Sequence, residues 1–561
     1  MHAQSVKLIL FSDSVNISSK VKHNFKSIQE VNQYLKGYQR SWIAKGYLEA
    51  SLDSVHKHGD TLEAYLHLGK RYEFSSSEQR RKRWQRNPSA NSVYEIDNTK
   101  EQLVRNLENS GYPFAKVLSD SLELSDTSIG IRYNVDRGRY IRIDSFINYG
   151  SSKLTKGFIQ NYVLVKSKQA YNESKIKNID KLLQKLPYAT VRQPSAIYFR
   201  DDKADIHLFL DKRKVNSFDF LIGFLPGSNG GKILITGEAR IHLLNSFKRG
   251  EEIYLEWRKL QRQSQYLDIR FNYPYLLGAP IGVNFTFNLD KRDSSSLDLA
   301  WQLGLPYITS SNNYIKGFYK YFQTILLVAD TNFVKINRKL PNNLDALYSQ
   351  YGIQAYYEQL DYLFSPQKGF ELKLTASAGT KKIKQNNQIT TLTDPNSQGF
   401  NYTSLYDSIK NKSVKADLFW LGNYYLPLGK KQKHIMKFGL NGGAVFNNSL
   451  LRNELIRIGG NKVLRGFDDL SIYASMYNIA TLEYRLLLQR NSYFFLFMDA
   501  AYIRRDFNNA HFQDFPFGFG AGVTFETKIG IFGLTYALGQ QKSQSVDFRN
   551  SKIHFGYVAV F

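Results

Sequence analysis

Residues 456 to 469 read IRIGGNKVLRGFDD. Arg465 stands between the apolar pair Val463-Leu464 and Gly466-Phe467, downstream of the glycine pair Gly459-Gly460. A guanidinium holds its N–H donors in a planar fork that meets a carboxylate with two parallel hydrogen bonds. Glycines let a backbone bend back and approach a wall closely. A solvated loop needs neither, so the pattern reads as a loop that folds back and docks. That is binding chemistry, not catalysis. Elsewhere the reactive groups do not assemble. The chain has no cysteine, its ten histidines are scattered, and neither a nucleophile constellation nor a Walker-type phosphate loop occurs. GSNGG at 227–231 and LGKKQKH at 428–434 read as turns. No enzyme activity, metal or cofactor is expected.

Composition bounds what positions such a loop. A chain of 561 residues is expected to hold two or more units. Its 75 Lys+Arg against 49 Asp+Glu give a net charge of +26. A basic balance serves nucleic acid, anionic lipid or solubility. Without cysteine there are no disulfides. The 38 Tyr, 38 Phe, 5 Trp and 38 Gly coexist with a mean hydropathy of −0.40. No apolar run reaches the roughly 18 residues that a membrane helix needs. Together these features suit a transmembrane β-barrel, where alternation dilutes the apolar signal. The start MHAQSVKLILF keeps only a small-residue cleavage flavour at Ala3-Gln4, so the sequence is expected to begin inside or after a signal peptide.

Residues 1 to 214 repeat. Ser27-Ile28-Gln29-Glu30 is a capping box that opens a helix to Lys45, followed by Gly46 and two strand-like stretches. Thr99-Lys100-Glu101-Gln102 is expected to cap a second helix, ended by Gly111 and again followed by two strands. Asn172 is expected to cap a third, with Ile176, Ile179, Leu182, Leu183 and Leu186 on one face. The boundaries read 1–75, 76–140 and 141–214, each unit running strand, helices, strand, strand. Between the first two lies SSSEQRRKRWQRNPSANS, 75–92, read as a solvated linker. The sharper alternative puts its Arg80, Arg81, Lys82, Arg83 and Arg86 on lipid phosphates.

From 215 to 561 the period becomes two. Sixteen candidate strands run from 217–226 to 552–561, each long enough to cross a bilayer when tilted. With the N-terminus on the periplasmic side, the long connections 328–347, 384–415, 450–475 and 506–515 all fall outside, and short turns fall inside. The last strand, KIHFGYVAVF, sets Ile553, Phe555, Tyr557, Ala559 and Phe561 on one face and stops on Phe561. An aromatic-alternating last strand ending in Phe is the terminal signal by which outer-membrane barrels are recognised for assembly.

Three modules, sixteen strands and Arg465-Gly466-Phe467 in the sixth outer loop resemble the BamA/TamA superfamily of outer-membrane assembly and transport proteins. The module count and length are most similar to TamA. Val463-Leu464-Arg465-Gly466-Phe467 matches the family's V-R-G-F/Y loop tip, and Gly459-Gly460 match its upstream glycines. TLEYRLLL supplies an inward acid, Glu483, and FMDAA supplies Phe497 and Asp499, with Ala501 where the family has Gly. The resemblance implies α+β POTRA modules in the periplasm, followed by an all-β sixteen-stranded antiparallel barrel in the bacterial outer membrane. It implies that Arg465 meets Glu483 and Asp499 in the lumen as a structural lock within the inward-docking loop 450–475. It also implies a weakly paired seam between the first and last strands.

The function so implied is assembly or translocation: POTRA modules receive clients, which are inserted or exported via the barrel and its seam. The alternative is a two-partner secretion transporter that exports one dedicated exoprotein through the lumen. The implied partners are the outer-membrane bilayer, client outer-membrane or surface and secreted proteins, and periplasmic or lipoprotein partners. Nucleic acid is not among them.

Overall fold

A computed structural model describes residues 6–12, 21–80, 83–86, 93–126, 128–213, 215–225, 234–259, 264–292, 296–310, 312–361, 365–393, 399–407, 412–429, 432–468, 470–489, 491–507, 510–527, 530–542 and 545–558. It divides into two compact units. One is Met1–Ile147 with Lys166–Asn178 and Ala196–His207; the other is Asn148–Val165 with Ile179–Ser195 and Leu208–Phe561.

In the first unit, the Ser27 hydroxyl accepts from the Glu30 N–H at 3.3 Å and the Glu30 carboxylate accepts from the Lys26 N–H at 2.9 Å. These bonds satisfy donors left free at the start of the helix Ile28–Ala44. That helix buries Val31 and Leu35 against Leu8, Leu10, Leu62 and Ala64. In the sheet, Val6–Ser12 pairs antiparallel with Val21–Phe25 and parallel with Thr61–His67, which pairs with Ser51–His58. The second sheet repeats the wiring. Glu73–Arg80 pairs antiparallel with Arg83–Arg86 and parallel with Ser128–Asp136, which pairs with Lys116–Leu124. Gly46 and Gly111 occupy the same place, at φ 100° and 102°. Their carbonyls accept from the N–H of Tyr72 at 2.9 Å and of Ile141 at 2.8 Å.

Three expectations need correction here. Val21–Phe25 and Arg83–Arg86 add a hairpin strand to each of the first two modules. The stretch 75–92 is therefore no linker as far as Arg86, and a boundary at 75/76 would cut through Glu73–Arg80. Arg81 and Lys82 lie outside the described residues. The second helix starts at Val93, so Thr99 lies inside it and not at its N-terminus. The cause is compositional: a strand reading EFSSSEQR carries almost no apolar alternation, and its identity comes from its neighbours in the sheet. The third module has the strands Arg142–Asn148, Ala196–Arg200 and Lys203–Leu208 in one sheet. Asn172 caps the short helix Glu173–Lys177, its Oδ1 accepting from the Lys175 N–H at 2.9 Å.

The second unit contains one large antiparallel sheet. Its strands are β1 (Ser217–Leu225), β2 (Leu234–Leu244), β3 (Glu252–Lys259), β4 (Gln265–Tyr273), β5 (Val283–Arg292) and β6 (Ser296–Ser310). They continue as β7 (Asn313–Leu326), β8 (Ala346–Leu360), β9 (Gly369–Ile383), β10 (Lys412–Leu428) and β11 (His434–Phe446). The last five are β12 (Met476–Gln489), β13 (Ser492–Phe507), β14 (Ala510–Asp514 with Phe517–Thr527), β15 (Gly530–Gln540) and β16 (Lys552–Val558). Both parts of β14 pair with β13 and are separated by Phe515-Pro516. Proline has no N–H for the ladder, so the break falls there. The expected sixteen strands are thus all present in one antiparallel sheet. The segment 506–515 is a correction, since β13 and β14 run through it as one extended hairpin rather than a loop.

Alternation is legible on β13: Phe494, Leu496 and Met498 are exposed, while Phe497, Asp499 and Ala501 are buried. The outer connections after β7 and β9 form their own small core, with Val334, Leu344, Ile389 and Tyr402 buried together and Leu451 against them. Among the described residues, β1 and β16 end the sheet and are not paired with each other.

Candidate functional site: the docked loop between β11 and β12

The loop leaves β11 and returns through a two-strand stem, Ile456–Ile458 with Ile472–Ala474. Gly459 and Gly460 follow at φ 120° and 87°. A Cβ on Gly459 would lie 2.3 Å from the Asp468 carbonyl oxygen, so no side chain fits. The Gly460 N–H donates to the Phe467 carbonyl at 3.2 Å, and the Leu464 N–H donates to the Gly460 carbonyl at 3.2 Å. These bonds close a compact tip. Leu464 and Phe467 drop into an apolar bed of Ile458, Ala474, Tyr477, Ile479, Ala501 and Ile503.

The bed presents Arg465 to the wall. Its Nε donates to Asp499 Oδ2 at 2.7 Å and its Nη2 to Asp499 Oδ1 at 2.7 Å. Its Nη1 donates to Glu483 Oε2 at 2.6 Å, and its backbone N–H reaches Asp499 Oδ2 at 3.3 Å. Thr481 Oγ1 donates to Asp499 Oδ1 at 2.8 Å, and Arg485 Nε donates to Glu483 Oε1 at 2.8 Å. Every carboxylate oxygen of the pair therefore has a donor. The side chains of Arg465, Glu483 and Asp499 are only 11%, 6% and 2% exposed, so their charges are withdrawn from water and depend on one another. The Arg465 guanidinium also lies 3.6 Å from the Phe497 ring centroid, a close cation–π contact. Arg485 stacks on Tyr493 at 4.9 Å and Tyr425 at 5.3 Å. Lys437 of β11, the register partner of Glu483, adds a third cation to the two arginines and two acids of this cluster.

The tip backbone meets the next strands directly. A Cβ on Gly518 of β14 would lie 2.0 Å from the Arg465 carbonyl oxygen. One on Gly466 would lie 2.4 Å from the Leu538 carbonyl oxygen of β15, and one on Gly539 would lie 2.5 Å from the Gly466 carbonyl oxygen. Asp468 then pairs with Lys552 of β16 at 2.7 Å. The loop so engages five consecutive strands, β12 through β16.

The structure brings together Gly459, Gly460, Arg465, Gly466, Phe467, Glu483 and Asp499. Phe555 stands elsewhere, on β16, 69% exposed and 6.1 Å from the Phe532 ring. Tyr557 is paired in register with Phe532, and Phe561 lies outside the described residues. Sequence reasoning missed Arg485, Thr481, Gly518, Gly539 and Lys552. Arg485 was detectable, because it follows Glu483 by two and so shares its face of β12. The glycines and Lys552 carry no local signal.

A barrel wall with an arginine loop docked on its inner carboxylates, preceded by α+β modules, defines an outer-membrane protein whose modules lie in the periplasm. Residues 245–558 match the Omp85 superfamily domain, and the chain belongs to that superfamily of outer-membrane transporters and insertases. It is similar in fold to CdiB from Acinetobacter baumannii, with 12% identity, TM-score 0.51, and coverage of 99% of this chain and 90% of that one. It is likewise similar to CdiB from Escherichia coli, with 12% identity, TM-score 0.52, and coverage of 94% and 97%. BamA from Haemophilus ducreyi lacking POTRA domains 1-3 aligns over 83% of this chain and 93% of its own at 15% identity and TM-score 0.45. No curated protein matches the sequence.

Proposed function

We propose that the chain takes up client outer-membrane, surface or secreted polypeptides through its periplasmic modules and inserts or exports them by way of the barrel seam. The observation that carries this reading is the one-sided docking of the loop. It braces β12 through β16, and among the described residues β16 is not laddered to β1. A strand edge left open presents unpaired N–H and C=O groups that a client strand can satisfy by β-augmentation. Arg465, Glu483 and Asp499 serve as a lock that keeps the β16 side rigid. The proposal involves no catalytic step.

The test uses the absence of native cysteine. Cysteines placed on facing positions of β1 and β16 would form a cross-link across the seam. Oxidation should stop client assembly and reduction should restore it. Full activity in the cross-linked protein would refute a working seam.

A second reading, export of one exoprotein through the lumen, is favoured by the polar inner face of β2 to β5. There Glu256 and Asp268 are buried, Arg240 pairs with Glu256 at 3.3 Å, and Asn288 donates to Asp268 at 2.9 Å, while Trp257 points outward. Quantitative outer-membrane proteomics after depletion separates the two. Loss of many barrels supports the first reading; loss of one surface or secreted protein supports the second.

A further inference from the structure

The 640 Å³ cavity at the foot of β1 and β2 is lined by four cations, Lys153, Lys212, Arg213 and Lys248, with Asn216 and Tyr188 between them. No carboxylate lines it. Among the described residues, none of the four cationic heads is held in an ion pair. Two acids stand close and both are already committed: Asp211 accepts from the Ser151 N–H at 2.9 Å and lies 3.8 Å from Arg192, while the buried Glu251 accepts from the N–H of Phe247 and, at 3.1 Å, from that of Arg249. The walls are fixed. The Leu244 N–H donates to Asn216 Oδ1 at 2.9 Å, the Arg213 N–H to the Tyr188 carbonyl at 3.1 Å, and the Thr155 N–H to the Lys248 carbonyl at 3.0 Å. The cavity thus sets four cations on a fixed backbone frame, with the nearby acids already hydrogen-bonded elsewhere.

Exposed aromatics adjoin its lining residues along the chain. Phe247, between Ser246 and Lys248 at the tip of the β2–β3 turn, is 64% exposed, and Phe218 near the start of β1 is 62% exposed. An exposed aromatic beside cations at the end of a membrane strand is the arrangement that sits at a lipid–water interface, with the ring at the acyl boundary and the charges among head groups. The β2–β3 turn lies at the periplasmic end of the barrel, where the leaflet presents its phosphates.

We infer that this cavity is a phospholipid head-group site, holding the phosphate of an anionic lipid of the periplasmic leaflet beside the first barrel strand. Lysine ammoniums and the Arg213 guanidinium supply charge-assisted donors to phosphate oxygens, and Asn216 adds a neutral polar side chain. This site is independent of the client chemistry proposed above. It would anchor the foot of β1, the strand that the docked loop leaves unbraced.

The test is native mass spectrometry of the purified full chain in detergent micelles, titrated with phosphatidylglycerol or phosphatidylcholine. The native chain should retain phosphatidylglycerol in preference to phosphatidylcholine. The quadruple variant Lys153→Glu, Lys212→Glu, Arg213→Glu and Lys248→Glu should lose that retention by at least about tenfold. A control with the same charge change elsewhere, Lys57→Glu, Lys70→Glu, Lys166→Glu and Lys168→Glu, should keep it. If the glutamate variant fails to fold, judged by heat-modifiable gel mobility, the corresponding four glutamine substitutions replace it. Equal retention by the cavity variant, an equal loss in the control, or full displacement by millimolar inorganic phosphate would each overturn the inference. The first would show that the cavity does not bind the lipid, the second a bulk charge effect, and the third a free-anion site.

Discussion

Arg465 grips both oxygens of Asp499, with Nε and Nη2 each at 2.7 Å, while its third donor reaches Glu483 at 2.6 Å. The loop is therefore attached to the wall by a fork, not a point contact. Arg465→Ala would strand two buried acids. It should lower the unfolding free energy of the barrel by about 3–5 kcal/mol, read as a lower temperature of heat-modifiable gel mobility. Arg465→Lys should recover little, because an ammonium has no planar fork to match the carboxylate. A lysine variant with native thermal behaviour would show that charge alone suffices.

Docking also depends on two wall glycines. Gly518→Ala would place a methyl 2.0 Å from the Arg465 carbonyl oxygen, and Gly539→Ala would place one 2.5 Å from that of Gly466. Both contacts are with backbone, which cannot rotate away. Either substitution should push the tip off the wall and expose residues 459–468 to limited proteolysis. Gly422→Ala on β10, whose added methyl would meet nothing closer than a Leu372 methyl at 3.7 Å, should leave the digestion pattern unchanged. Equal protection in all three variants would argue against close backbone docking.

The barrel was legible because its physics is periodic. On β13, alternation alone separates outward Phe494, Leu496 and Met498 from inward Asp499, and the chain could be divided into sixteen strands by such runs. The arginine fork was legible only through the family resemblance of its motif, since nothing local to Glu483 says that a distant loop arrives there. What failed did so for want of a pattern. EFSSSEQR is a central strand of its sheet, paired on both sides, yet polar throughout its middle. Gly518 and Gly539 are defined by a neighbour that approaches from another part of the chain. Lys552 meets Asp468 across the whole span from loop to last strand.

A second buried ion pair holds the outer end of the barrel. Lys381 of β9 donates to Glu454 Oε2 at 2.5 Å and to the Ser449 carbonyl at 2.7 Å, with both charged side chains 1% exposed. The pair ties β9 to the base of the docked loop. Lys381→Met alone should destabilise by about 3–5 kcal/mol, because Glu454 remains buried without its cation. Adding Glu454→Leu should restore most of the loss, since removing both charges also removes their desolvation cost. Thermal unfolding of the two single variants and the double closes the cycle. Additive losses would show that the two side chains do not act as a pair.

The modules carry a pH-sensitive contact of their own. The Ser145 hydroxyl donates to Asp205 Oδ1 at 2.6 Å, and Arg200 Nη2 donates to Oδ2 at 2.9 Å. The Ser145 hydrogen bond first, and the Arg200 charge with it, hold the Asp205 carboxyl below its ordinary value of 3.8 against the opposing effect of burial. A carboxylate depressed in the fold stabilises it at any pH above the unfolded value and loses that contribution as pH falls through the folded one. Asp205→Asn should therefore be less stable than the native chain at neutral pH by a constant margin. The margin should shrink once the pH drops below the ordinary carboxylate value. Hydrogen exchange of the strand Lys203–Leu208, followed from neutral to acid pH, reads this locally. A margin independent of pH through the acid range would mean that the carboxylate charge contributes nothing there.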